Sequence, residues 1–172
     1  MIKLSLPLDK KTVESLKAGD CVCLSGEILT ARDCAHKRLC EMIERGETLP
    51  FNIKDAIIYY AGPCPAKPGY ASGSCGPTTS SRMDVYAPRL LNLGLGGMIG
   101  KGEMSDDVRD AVKANMAVYF AAIGGAGATY GKAIEKSELV AFPDLLSEAV
   151  RRLVIKDFPV VVAYDCHGGS IY

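Results

Sequence analysis

The sequence predicts one domain of the α/β or α+β class, with helices packed on a partly parallel sheet. Three observations lead there. Short apolar runs with strand character recur, from Asp55 to Ala61 and from Phe158 to Tyr164 among others. Segments with helical apolar spacing stand between them. The order is mixed, with strands first and then strands alternating with helices. A chain of 172 residues is most simply one domain, here expected to run over 1–172. Its hydrophobic fraction of 48% leaves enough material for a core.

In chain order, Lys3 to Leu8 reads as a strand and Lys11 to Lys17 as a short helix ended by Ala18-Gly19-Asp20. Cys21 to Ser25 and Glu27 to Thr30 read as strands broken at Gly26. A helix follows from about Arg32 to Arg45. Its residues Ala35, Leu39, Met42 and Ile43 make one buried stripe, and Gly46 is its terminator. Asp55 to Ala61 is a strand. Pro63 to Gly76 is the longest irregular stretch, a length usually tied to function or mobility. The glycines from Gly94 to Gly102 suit close backbone approach but do not form a dinucleotide fingerprint. Ser105 caps a helix with Asp106 and Asp107 in its first turn and Val108, Ala111 and Val112 on its inner face. Val118 to Ile123 is a strand, followed by a glycine-rich turn through Gly131. Ile134 to Phe142 is extended. Asp144 starts a helix carrying Leu145, Ala149, Val150 and Leu153. Phe158 to Tyr164 is the last strand, with Pro159 near its start.

Composition narrows the function. Lys plus Arg equals Asp plus Glu, at 20 each, so no basic excess argues for a nucleic-acid partner. No apolar run approaches the ~20 residues that span a bilayer. Met-Ile-Lys-Leu-Ser-Leu-Pro-Leu is not a signal peptide by pattern, and the expected location is the cytoplasm. The seven cysteines include no Cys-x-x-Cys pair of the kind that metal chelates use. They are expected to be buried thiols. Cys21 and Cys23 would face the same way on one strand, and Cys75 borders the most informative segment of the chain.

That segment is Gly-Pro-Thr-Thr-Ser-Ser-Arg-Met-Asp, Gly76 to Asp84. It reads as a helix start, with Thr78 or Thr79 as N-cap and Tyr86, Leu90, Leu91 and Leu93 on the apolar face. A first turn offers free N–H groups and the positive dipole end to an anion. Arg82, four residues after Thr78, can join that face. Local physics alone also fits an ordinary capped helix with an exposed arginine. Arg32 and Arg82 both open helices, where a cation is mildly unfavourable unless an anion is near.

GPTTSSRMD resembles the signature of the β subunit, or C-terminal domain, of class I iron–sulfur fumarases and the related L-tartrate dehydratases. LSGEILTARDCAHKRL, Leu24 to Leu39, resembles the family's second signature, and GGMIGKG, Gly96 to Gly102, a third, in the family's order. The resemblance covers nearly the whole chain and implies a swivelling β/β/α domain with a mixed sheet. It implies a hydro-lyase that hydrates fumarate to L-malate, with L-tartrate dehydratase as the alternative. Carried onto this sequence, it makes Arg32, Arg82 and Lys101 substrate-binding, and Thr78 a general base, with Lys101 also catalytic. It implies no metal and no cofactor in this chain. A [4Fe-4S] cluster belongs instead to a partner α subunit, in an α2β2 heterotetramer acting on a dicarboxylate and active only when both parts are present. His36 reads as structural. His167 departs from the small or polar residue common there, and either tunes substrate choice or caps the strand. A non-catalytic anion-binding module built on the Thr78 segment is the reading outside enzymes.

Overall fold

The computed structural model describes all 172 residues, Met1–Tyr172. Seven strands form one mixed sheet in the order β1-β2-β3-β4-β5-β7-β6. They are β1 (Ile2–Ser5), β2 (Cys21–Thr30), β3 (Ile57–Tyr59), β4 (Gly97–Gly100), β5 (Val118–Ala121), β6 (Ile134–Ala141) and β7 (Val150–Tyr164). β2, β3, β4 and β5 run parallel. β7 lies antiparallel to both β5 and β2, so these five strands close on themselves as a barrel. Closure leaves β2 and β5 no open edge.

The two long strands each change neighbours at an irregularity. β2 pairs with β1 from Val22 to Ser25 and with β3 at Leu29 and Thr30. The register against β7 shifts between Leu24 and Gly26. Gly26 has φ +133, and a Cβ there would stand 2.8 Å from Leu6 Cβ, so the bulge needs glycine. The two strands predicted on either side of Gly26 are thus one bent strand. β7 pairs with β6 up to Ile155 and with β5 from Val161. Pro159 falls in the gap between those partners, where its missing N–H leaves no ladder bond unmade on that side.

Side chains alternate between two cores. Ile57, Tyr59, Val118, Phe120, Leu153, Phe158 and Val160 point into the barrel. Ile58, Tyr60, Met98 and Tyr119 point outward under a layer of helices. β3 and β4 are buried throughout, as expected of parallel strands covered on both faces. The outer layer comprises α2 (Asp33–Glu44), α3 (Ala87–Asn92) and α4 (Asp106–Ala114), contributing Ala35, Leu39, Leu90, Leu91, Val108 and Val112. α1 (Lys10–Ser15) and α5 (Gly127–Lys132) are short, and Leu16 and Tyr130 join the inner core. No helix is long and apolar enough to cross a membrane.

Most other elements stand where the sequence puts them, and four more differ. The helix expected from Asp144 is a kinked 3-10 segment, Pro143–Glu148, and Val150 already begins β7. Val150, Val154 and Ile155 are β-branched, and this stretch is sandwiched between β2 and β6. Two ladders of hydrogen bonds outweigh the helical spacing of Leu145, Ala149 and Leu153. The helix expected from Thr78 is a 3-10 turn, Ser80–Met83, followed by α3, and Leu93 is exposed. Gly97 and Gly100, in the glycine run before Lys101, lie in a strand, β4, and the glycine-rich turn before Gly131 contains α5. Of the seven cysteines, Cys40, Cys75 and Cys166 are buried, whereas Cys21, Cys34 and Cys64 are exposed and Cys23 is half-buried.

Candidate active site

Parallel strands deliver their carboxyl ends to one edge, where α/β sheets usually bind ligands. Arg32 comes two residues after β2, Lys101 one residue after β4, and Gly62 three residues after β3. The Thr78–Arg82 segment crosses the same edge. The Thr78 N–H donates to Tyr60 O at 2.7 Å, and Thr79 forms a parallel bridge with Lys101. Thr78 is therefore stitched to the sheet through its backbone. It caps nothing, and Thr79, at the N-cap, makes no side-chain capping bond. Backbone pairing has taken the place of the predicted cap.

Arg32 folds back over Gly62. A Cβ at Gly62 would stand 2.9 Å from Ser147 O and 3.2 Å from Arg32 Nη1, so glycine leaves room for both. Asp33, the next residue, places Oδ2 3.9 Å from Arg82 Nη1. The two arginines, 50 positions apart in sequence, thus share one rim with Thr78 and Lys101. Their side chains are 27% and 56% exposed, so both can be reached from solvent. Lys101 is exposed as well.

Both arginines have carboxylates nearby. Glu148 Oε1 is 3.9 Å from Arg32 Nε. It comes from the connection before β7, which Arg38 pins to α2 by its pair with Asp144 and by lying 5.3 Å over the Phe142 ring. At 3.9 Å neither contact is a hydrogen bond. Arg32 Nε is buried and has no hydrogen-bond partner. A buried donor left in that state is unusual. It fits a group that is completed by an anion.

The remaining polar residues are structural. His36 is fully buried, and its Nδ1 donates to Arg32 O at 2.8 Å. Burial lowers its pKa to about 4, with that carbonyl contact pulling the other way. The ring is neutral and steadies the backbone under Arg32. Cys75 is enclosed in the barrel core, and burial pushes its thiol up to about 12. It is no reactive neighbour of the site. His167 lies at the opposite edge, where its Nε2 bonds Glu14 O at 2.8 Å. Of its two predicted roles, the geometry matches the strand end. No three His, Cys, Asp or Glu side chains come together as a metal ligand set in the structure.

Sequence reasoning missed Glu148, which it placed inside a helix. It also missed Gly62 and Ser80, whose importance depends on which atoms sit against them. Ser80 is buried, a fate that the polar run Thr-Thr-Ser-Ser does not announce.

The fold and this rim define an α/β domain that presents cationic groups and a threonine at the carboxyl ends of parallel strands. The chain belongs to the fumarase C-terminus family, which it matches over residues 1–172. It is 40% identical over 171 residues to the protein provisionally named L(+)-tartrate dehydratase subunit beta of Methanocaldococcus jannaschii, covering 96% of this chain and 88% of that one. It is 40% identical to fumarate hydratase 2 of Leishmania major over 99% of its own length. It is 43% identical to the aerobic class I fumarate hydratase of Escherichia coli K12 over 87% of its length. It spans only 31% and 28% of those two fumarate hydratases.

Proposed function

We propose that this domain supplies one wall of a hydro-lyase active site that adds water to fumarate to give L-malate and removes it again. The carrying observation is the shared rim of Arg32, Arg82, Lys101 and Thr78, in which a buried Arg32 Nε has no partner. A dicarboxylate needs cations at both ends. Two guanidinia can grip one carboxylate with paired N–H bonds, and the Lys101 ammonium adds a compact charge for the other. Gly62 leaves room for the first guanidinium, and the hydrogen bond from His36 to the Arg32 carbonyl fixes the backbone that carries it. Thr78, fixed by its backbone to Tyr60, would take the proton from the carbon next to the one that bears hydroxyl. A threonine hydroxyl is a weak base and needs a neighbouring group to accept its proton. A partner chain would provide that group.

The same partner would provide the ligands of a [4Fe-4S] cluster, which supplies Lewis acidity at the substrate hydroxyl. In the α2β2 assembly, neither chain would be active alone. A second substrate, L-tartrate, is favoured by one observation: the relative that this chain covers to 88% of its length carries the tartrate dehydratase name. Fumarate and tartrate share the two carboxylates on which the rim acts.

The test is to assemble the whole enzyme with a partner that carries three cluster cysteines, and to assay fumarate, L-malate and L-tartrate. Turnover of one of them, with KM raised by Arg32→Met and by Arg82→Met, supports the reading. An assembled, iron-loaded complex that binds dicarboxylates but turns none over would leave an anion-binding module instead.

A further inference from the structure

Beneath Lys101 lies a chain of hydrogen bonds that the site as described does not use. Ser80 and Tyr119 are both buried. The Lys101 N–H donates to Ser80 Oγ at 2.8 Å, and the Ser80 N–H donates to Lys101 O at 2.9 Å. Ser80 therefore holds the Lys101 peptide from both sides. Tyr119 Oη lies 2.9 Å from Ser80 Oγ and 2.7 Å from Gly102 O. A carbonyl can only accept, so the single phenolic proton goes to Gly102 O and the Ser80 hydroxyl donates to Tyr119. The result is one directed relay: Lys101 N–H to Ser80, Ser80 to Tyr119, Tyr119 to Gly102 O. It starts and ends on the backbone flanking the lysine.

Two further facts make the arrangement specific. Gly100 sits so close that a Cβ there would overlap Ser80 Oγ. A glycine before Lys101 is thus a requirement of Ser80, which ties GGMIGKG to GPTTSSRMD. Burial also pushes the Tyr119 phenol well above its ordinary value, so its proton stays in place across the working pH range. Lys101 itself has a long, flexible stem, and a side chain of this kind binds well only when its base is fixed.

We propose that Ser80 and Tyr119 are positioning residues which set the base of Lys101 relative to Thr78 and Arg82, and so determine how well the rim binds a carboxylate. This rests on the reading above that Lys101 binds substrate. Neither residue reaches the substrate. Ser80 acts by joining the segment that carries Thr78 and Arg82 to the one that carries Lys101, and Tyr119 acts by buttressing Ser80.

The experiment uses the assembled enzyme and four variants: Tyr119→Phe, Ser80→Ala, Lys101→Met and the double variant Tyr119→Phe/Lys101→Met. Tyr119→Phe keeps the ring and removes only the hydroxyl. It should raise KM for the dicarboxylate roughly tenfold, which corresponds to about 1.4 kcal/mol of lost binding, and change kcat less than about threefold. Ser80→Ala should raise KM further, and reports independently should Tyr119→Phe assemble poorly. The decisive readout is non-additivity. If Tyr119 works through Lys101, its removal should add almost nothing once Lys101 is methionine. A full tenfold effect persisting in the Lys101→Met background would overturn the positioning role while leaving the proposed function intact. An unchanged KM in Lys101→Met would overturn the substrate role of Lys101 and this proposal with it. A lowered melting temperature in Tyr119→Phe, with KM unchanged, would make the relay merely structural.

Discussion

The two ends of the barrel treat their polar groups in opposite ways. At the edge where β7 ends, the buried Asp165 carboxylate accepts three backbone N–H bonds, from Ala18 at 2.9 Å, His167 at 2.9 Å and Gly169 at 2.8 Å. Burial pushes its pKa up, but those donors outweigh it and hold the carboxyl below its ordinary value. His167 is likewise committed, to Glu14 O. At the carboxyl edge of the parallel strands, Arg32 Nε is buried without a partner, and the acids nearest Arg32 and Arg82 stop at 3.9 Å. His36 Nε2, Tyr60 Oη and Asp84 Oδ1 are also buried without partners, so it is the unpaired nitrogen together with the solvent-reachable guanidinium of Arg32 that marks this edge. The contrast separates the histidine that looked suggestive in sequence from the two arginines whose guanidinia are not hydrogen-bonded to the acids nearest them.

Acid separates the two ends most strongly. His36, under Arg32, has a folded pKa of about 4 against an ordinary 6.5. The unfolded chain therefore takes up a proton first, and stability that is complete above pH 6.5 is lost as pH falls towards 4, by about 3 kcal/mol. Asp165 is depressed, so its contribution persists above its ordinary value of 3.8 and disappears only below it. Denaturant titrations between pH 3 and 8 should show two successive losses. His36→Asn should abolish the first alone; a curve as steep as wild type between pH 6.5 and 4 would break the assignment.

The next effect is catalytic. In the assembled enzyme, Thr78→Ala should lower kcat on the order of a hundredfold or more with little change in binding. A kcat within a few-fold of wild type would reduce Thr78 to a backbone element. Smaller again is Asp165→Ala, which leaves three N–H groups seeking partners and should cost roughly 2 kcal/mol of stability. Turnover per folded molecule should not change, and a shifted KM would show that the far edge communicates with the site. The smallest effect sharpens the comparison from the other side. Lys101 forms a bridge and hydrogen bonds only through its backbone, so Lys101→Ala should alter unfolding free energy by less than about 0.5 kcal/mol. A large destabilisation would mean that the site edge is as structurally committed as the other.

Much of this molecule is legible in its residues. Ser105 accepts from Val108 N as its spacing suggests. Gly46 has the left-handed φ of +69 that ends α2. Cys21 and Cys23 share the outward face of β2. These are local matters, settled by capping, glycine freedom and the two-residue strand period. The three signature segments also identify the family, because they preserve residue types in order. Their convergence was an expectation of resemblance, and no local rule would bring Arg32, Thr78, Arg82 and Lys101 to one rim.

The sequence by itself determined the element types where one local signal prevailed, and the chemistry available to the site. Tertiary structure decided the rest, and for one physical reason: a strand's partners lie far away in the chain. β7 is a strand because β2 and β6 flank it, though Leu145, Ala149, Val150 and Leu153 suit a helix. Thr78 is tied to the sheet and not in a helix because Tyr60 O, 18 positions earlier, accepts its N–H. Glu148 reaches Arg32 only because β7 closes the barrel beside β2. Pairing across the sheet satisfies backbone groups that would otherwise seek a helix or a cap. It therefore overrode local preference at the very segments from which the site is built.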